Sequence, residues 1–151
     1  MTTTPLTPTQ RDDAAVQSAS ALCAAITGDW ARAARDVGAL ADQYQGQGVQ
    51  ILLLGLADTL IARLGEPAPD QLIAIAWMDP VVGGVTFNAE DVPRPEIRWA
   101  GRFIAARAAK DHSQCVALVN ACHDETEYAH NVFAVLEVVA MTLRAIKGGA
   151  L

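Results

Sequence analysis

Residues 21–44 read Ala21-Leu22-Cys23-Ala24-Ala25-Ile26-Thr27-Gly28-Asp29-Trp30-Ala31-Arg32-Ala33-Ala34-Arg35-Asp36-Val37-Gly38-Ala39-Leu40-Ala41-Asp42-Gln43-Tyr44, and their reading decides the fold. Gly28 stops one helical pattern, because glycine enters the left-handed conformation that ends a helix at no steric cost. Asp29 opens the next, since its carboxylate can accept from the free N–H groups of a helix's first turn. Trp30, Ala33, Ala34, Val37, Ala41 and Tyr44 then recur at the 3.6-residue period of a helix with one buried face. The stretch predicts two helices joined by a tight turn.

Working outward, Thr7-Pro8-Thr9-Gln10 has the form of a helix start, with Thr7 as cap, Pro8 at the first helical position and Gln10 completing a capping box. That first helix runs to about Thr27, with Val16, Ala19, Cys23 and Ile26 expected on its buried face. Downstream, Gly46 and Gly48 end the second helix. A third follows from Val49 to Leu64, apolar nearly all round and so expected to lie centrally. Residues 65–95 have another character. Pro69-Asp70 opens a short apolar helix through Trp77, Asp79-Pro80 stops it, and 81–87 predicts a small hairpin turning at Gly83-Gly84. An irregular stretch of this length in a compact domain is either functional or a connector.

From Pro95 the first pattern returns. Ile97, Ala100, Ile104 and Ala108 mark one helix face. Asp111 caps a helix whose expected buried side is His112, Cys115, Val119 and Cys122, and Asp124 with Glu127 caps a last helix that ends at Gly148-Gly149. A shift of about 82 residues sets Gly28-Asp29-Trp30 on Lys110-Asp111-His112, Ala33 on Cys115, Val37 on Val119, and the apolar helix 49–64 on 131–146. Internal self-similarity marks a repeated structural unit. The expected fold is an all-α helical bundle of two pseudo-repeated three-helix units, about 9–64 and 96–147. The irregular connector 65–95 joins them in one domain, 9–151, behind a flexible N-terminal tail, 1–8. A homodimer using one of the apolar helices is the alternative packing.

The hairpin Ala21–Leu40 resembles a tetratricopeptide hairpin. That family places Gly-Asp-aromatic at its turn and small and apolar residues beyond it, here Gly28, Asp29, Trp30, Ala33, Val37 and Leu40, with Ala21 in the preceding helix. In the second half Trp99, Asp111, Cys115 and Val119 fit, while Arg102 and Phe103 depart from the pattern. Both halves lack the closing proline, and their spacing differs from the family's repeat of about 34 residues. The resemblance implies a groove for peptides or partner proteins, at Ala15, Ser18, Leu22 and Ala25, then Ile97, Ala100, Ile104 and Arg107. These are mostly apolar, which predicts a groove filled by the protein's own helices.

Composition bounds the function. Apolar residues make up 52% of 151 and aromatics only 5%, so alanine and leucine must carry the core, which suits close-packed helices. A net charge of −6 disfavours general nucleic-acid binding and anionic membranes. Residues 1–9 lack the basic start and apolar stretch of a signal peptide, and no apolar run reaches about 18 residues uninterrupted. Three cysteines without framework spacing read as reduced thiols, so a cytoplasmic location is expected. The alanine richness fits a bacterial or phage origin.

Candidate chemistry is sparse. His112, Cys115 and Cys122 supply zinc-type ligands, with His123 and His130 nearby, but the spacing matches no zinc module. Buried core cysteines are the simpler reading, so no metal and no cofactor is expected. Glu127-Tyr128-Ala129-His130 has the Glu-x-x-His spacing of di-iron bundles without the second copy they need. Asp58 and Glu137 interrupt the two most apolar helices and are expected to face solvent or pair with arginines, Arg102 and Arg107 being candidates for Glu137. Arg94, Arg98, Arg102 and Arg107 around Trp99 and Phe103 would suit base stacking, yet in an acidic chain they read as a solvated face. Phosphate loops and nucleophile elbows are absent from the sequence, so an enzymatic reading has no supporting constellation. The expectation is a non-enzymatic interaction or adaptor protein. It would bind an unknown protein partner through a connector surface of Phe87, Asn88, Asp91, Arg94, Arg98 and Trp99, or through an exposed helical face. A small-ligand or metal-binding helical sensor is the alternative.

Overall fold

The computed structural model describes residues 4–64, 77–78, 85–86 and 94–147. Among these the fold is all-α, with five helices: α1 (Pro8–Ile26), α2 (Trp30–Leu64), α3 (Pro95–Ala108), α4 (His112–Asn120) and α5 (Glu125–Lys147). Extended pairing among the described residues is confined to β1 (Trp77–Met78) and β2 (Val85–Thr86), antiparallel, with Trp77 opposite Thr86 and Met78 opposite Val85. The described pairing sets Val85 opposite Met78, and Trp77 belongs to a strand rather than to the expected helix; residues 81–82 of the expected hairpin lie outside the described residues. Residues 69–76, Gly83, Gly84 and Phe87 lie outside the described residues. By length and composition alone, α2 and α5 are apolar enough to cross a membrane.

The chain divides into two compact units. In the first, residues up to Leu56 combine with those from Val139 on. Thr7 caps α1 as its sequence predicts: its hydroxyl accepts from the Gln10 N–H at 3.1 Å, and the Gln10 side chain accepts from the Thr7 N–H at 2.9 Å. The described part of the expected tail is tied down, since the Gln47 amide accepts from the Leu6 N–H (3.0 Å) and donates to the Thr4 carbonyl (2.8 Å). Gly28 turns the chain at φ 85°, and α1 runs antiparallel to the first part of α2. Ser20 donates to Asp36, Gln17 to Gln43 and Tyr44 to Asp13 across the pair.

α1 buries Ala14, Ser18, Ala21, Leu22, Ala24 and Ala25, not the expected face; Val16, Ala19 and Cys23 are exposed. Small side chains let helices approach closely, so the contact selected the alanine face and turned the larger residues outward. The groove positions follow the same logic. Ser18, Leu22, Ala25, Ile97, Ala100 and Ile104 are buried, while Ala15 is exposed.

α2 contains a break. Gln45 has φ 52° and ψ −142°, a region in which a residue other than glycine carries about 1–3 kcal/mol of strain. The helix end anticipated at Gly46 and Gly48 thus falls on Gln45. Gly48 serves a close contact instead. A Cβ there would lie 2.7 Å from the Tyr44 Cβ and 3.1 Å from the Leu40 carbonyl, so only glycine lets the second part of α2 seat on the first. Residues 46–64 bury Leu52, Leu53, Leu56, Ala57 and Leu60, but Gln50, Gly55, Asp58 and Thr59 are exposed. The helix expected to be central is half solvent-facing, because its polar residues share one side.

The second unit runs from Ala57 to Val138. α3 and α4 form its hairpin. Ile97, Ala100, Phe103, Ile104, Ala106 and Ala108 are buried on α3, with Cys115 and Leu118 on α4 and Val132, Val135 and Leu136 on α5. The Trp99 indole donates to the Leu118 carbonyl at 2.9 Å and stacks on Phe103, ring centroids 5.4 Å apart. The start of α5 is capped as anticipated, Asp124 accepting from the Glu127 N–H at 2.8 Å.

Candidate functional site

The α3–α4 turn builds a cleft. Ala109 and Lys110 end α3, with Lys110 in the left-handed region at φ 58°, and the Asp111 carboxylate accepts from the Gln114 N–H at 3.0 Å to start α4. Together with the end of α2, this turn encloses an open volume of about 430 Å³. Asp58, Arg107, Lys110, Asp111 and His112 supply its polar lining, and Ile61, Ala62, Ala108 and Cys115 its apolar lining.

Its central feature is an ion pair. Arg107 donates to both oxygens of Asp58, at 2.8 and 3.0 Å. Asp58 pairing with an arginine agrees with the sequence, but the partner assignments differ. Arg107 serves Asp58, while Glu137 is held by Arg94 at 3.0 and 3.2 Å; Arg94 also reaches Glu96 at 2.8 Å. The two arginines flank α3, some 13 residues apart and so about 20 Å along a helix. Each can reach only the carboxylate at its own end.

Bonding to Asp58 raises the affinity of Arg107 for its proton against the opposing effect of burial. Burial pushes the Cys115 thiol up, with Arg107 opposing. A protonated thiol is a poor nucleophile and a poor metal ligand.

The proposed zinc-type ligands do not meet. His112 is exposed at the first position of α4 rather than on its buried side, and shares the cleft with Cys115. The Cys122 thiol lies against the Leu118 carbonyl (3.6 Å) and accepts from the Asn131 amide (3.4 Å). Among the described residues, no three His, Cys, Asp or Glu side chains gather as a metal site requires. Glu127 of the Glu-x-x-His motif instead accepts from the backbone N–H and approaches the ring of His123, both at 2.9 Å.

Of the connector surface, Phe87, Asn88 and Asp91 lie outside the described residues. Arg94, Arg98 and Trp99 are half-buried, and Arg94 and Trp99 are bonded within the unit as above. Among the cleft's charged members, Lys110 is the one the sequence reading did not single out as a candidate. Its signal was its place opposite Gly28 in the 82-residue shift, which marks a left-handed turn residue.

The two turns coincide in detail. Asp29 N–H donates to the Ala24 carbonyl at 2.8 Å and Gly28 N–H to Ala25 at 3.0 Å. Asp111 N–H donates to Ala106 at 2.9 Å and Lys110 N–H to Arg107 at 3.1 Å. Asp29 and Asp111 each cap the N–H three residues on, at 3.1 and 3.0 Å. No protein-family model matches the chain, and no curated protein or solved structure matches it.

Proposed function

We propose that the protein is a non-enzymatic interaction protein of adaptor type, working in the cytoplasm, which offers the outer face of α1 to a helix of its partner. The observation that carries this reading is Val16, 67% exposed within a helix, with Ala19 and Cys23 exposed one and two turns on. Single exposed apolar residues are ordinary, but a row at i, i+3 and i+7 has the spacing by which an amphipathic helix seats on another. The exposed Asp12 one turn before Val16, and the net charge of −6, favour a partner helix with basic flanks.

The finer architecture belongs to the same reading. Two pseudo-repeated three-helix units, 9–64 and 96–147, are supported by the matching turns at Gly28 and Lys110. The groove positions of a tetratricopeptide-like hairpin are largely buried here, which leaves an outer face for a partner. Treating α2 and α5 as core helices rests on the break at Gln45 and on the ion-paired Asp58 and Glu137.

A photo-crosslinking residue at position 16, in the host cell, tests this. One discrete adduct is expected, absent when the residue stands at exposed position 42, and lost from position 19 when Val16→Asp is added. Identical adducts at 16 and 42 would sink the proposal.

The cleft favours a second reading, as a small-ligand sensor, because charged and apolar walls together suit a small amphipathic molecule. A ligand-induced rise in melting temperature that Arg107→Ala abolishes would support it.

A further inference from the structure

We propose that Gln45 is a hinge through which two copies of this chain exchange helices. In the exchanged form α2 runs straight, and the hairpin of residues 4–44 from one copy seats on residues 46–56 of the other. Gln45 stands at φ 52°, ψ −142°, a backbone conformation suited to glycine, although Gly46 is the next residue. The residues on both sides are helical. Returning Gln45 to helical angles would make α2 one uninterrupted 35-residue helix, about 50 Å long, and would release the strain.

Straightening separates contacts within the first unit, two sets of which are fixed by close geometry. These are Gly48 on Tyr44 and Leu40, and the Gln47 amide on Thr4 and Leu6. A second copy carries the same surfaces and can supply every one of them in trans. The exchanged dimer therefore keeps the packing, relieves two strained residues, and costs the entropy of association. That balance makes a short strained hinge a route to dimers by exchange. The partner is a second copy of this chain, and the exposed face of α1 is not needed for it.

Two variants push the hinge in opposite directions. Gln45→Gly removes the strain of the bent form and should favour the monomer. Gln45→Ala keeps the strain and improves the straight helix, so it should favour the dimer. Light scattering after gel filtration, on the whole 151-residue chain with unchanged helicity, should show a dimer association constant at least about tenfold higher for Gln45→Ala than for Gln45→Gly, since each dimer has two hinges. In a dimer co-refolded from isotope-labelled and unlabelled chains, nuclear Overhauser contacts between Gly48 and Leu40 should run between chains. Equal association of the two variants, monomers throughout, or a dimer whose Gly48–Leu40 contacts stay within one chain would each overturn the proposal.

Discussion

Arg94 and Arg107 each grip a carboxylate with two nitrogens, yet they should differ in what they contribute. The Asp58 side chain is 52% exposed and Glu137 only 19%. Water screens the first pair, which is then worth under about 1 kcal/mol. Truncating Arg94 leaves Glu137 half-buried without its charged donor, a loss of about 1.5–3 kcal/mol. Urea unfolding of Arg94→Ala and Arg107→Ala should show that order, and equal effects would mean that burial does not separate the pairs. Both carboxylates stood out in the sequence as breaks in apolar helices. Their partners did not, because which end of α3 meets which helix depends on packing. For the same reason Arg94, legible as a surface residue, is a clamp.

At the scale of elements, the turns are the most local features and were the most legible. Gly28 and Lys110 sit in equivalent left-handed positions, at φ 85° and 58°. A side chain there is strained whatever the space, so Lys110→Gly should stabilise by about 0.5–1 kcal/mol, and Gly28→Ala should destabilise by about 1 kcal/mol or more. Melting temperatures that move the same way in both variants would contradict the equivalence of the turns. Helix faces were less legible. In α3 large residues alternate cleanly with polar ones, and the predicted face is the buried one. In α1 alanine occupies nearly every side, so hydrophobicity barely distinguishes faces and the phase was set by steric fit. Among the described residues, the break at Gln45 was blurred by two neighbouring glycines.

At the scale of the molecule, stability should fall at both extremes of pH. Burial pushes the Glu96 carboxyl up, but its own backbone N–H and the Arg94 guanidinium outweigh this and hold it below the ordinary 4.5. The backbone N–H and ring of His123 hold Glu127 below it too. With folded values depressed, their stabilisation is complete above about 4.5 and is lost as pH falls through the lowered values. On the alkaline side, the bond to the Asp13 carboxylate raises Tyr44 and burial raises Tyr128, above an ordinary 10.0. Their contribution is present below 10 and is lost as pH rises through the folded values. An absorbance titration should therefore find both of the chain's two tyrosines ionising above 10 while it is folded. A tyrosine that titrates at 10 in the folded protein would count against that environment.

The sequence by itself determined the all-α class, the caps at Thr7, Asp29, Asp111 and Asp124, and the turn at Gly28, because each depends on residues within a few positions of one another. It also marked the buried face of α3, at Ile97, Ala100, Ile104 and Ala108. Only the tertiary structure decided which face of α1 is buried, that Gly48 is a contact rather than a terminator, which arginine holds which carboxylate, and that Lys110, His112 and Cys115 share a cleft while Cys122 does not. Those outcomes depend on how closely helices approach and at what phase, which an alanine-rich pattern leaves nearly degenerate and steric fit resolves.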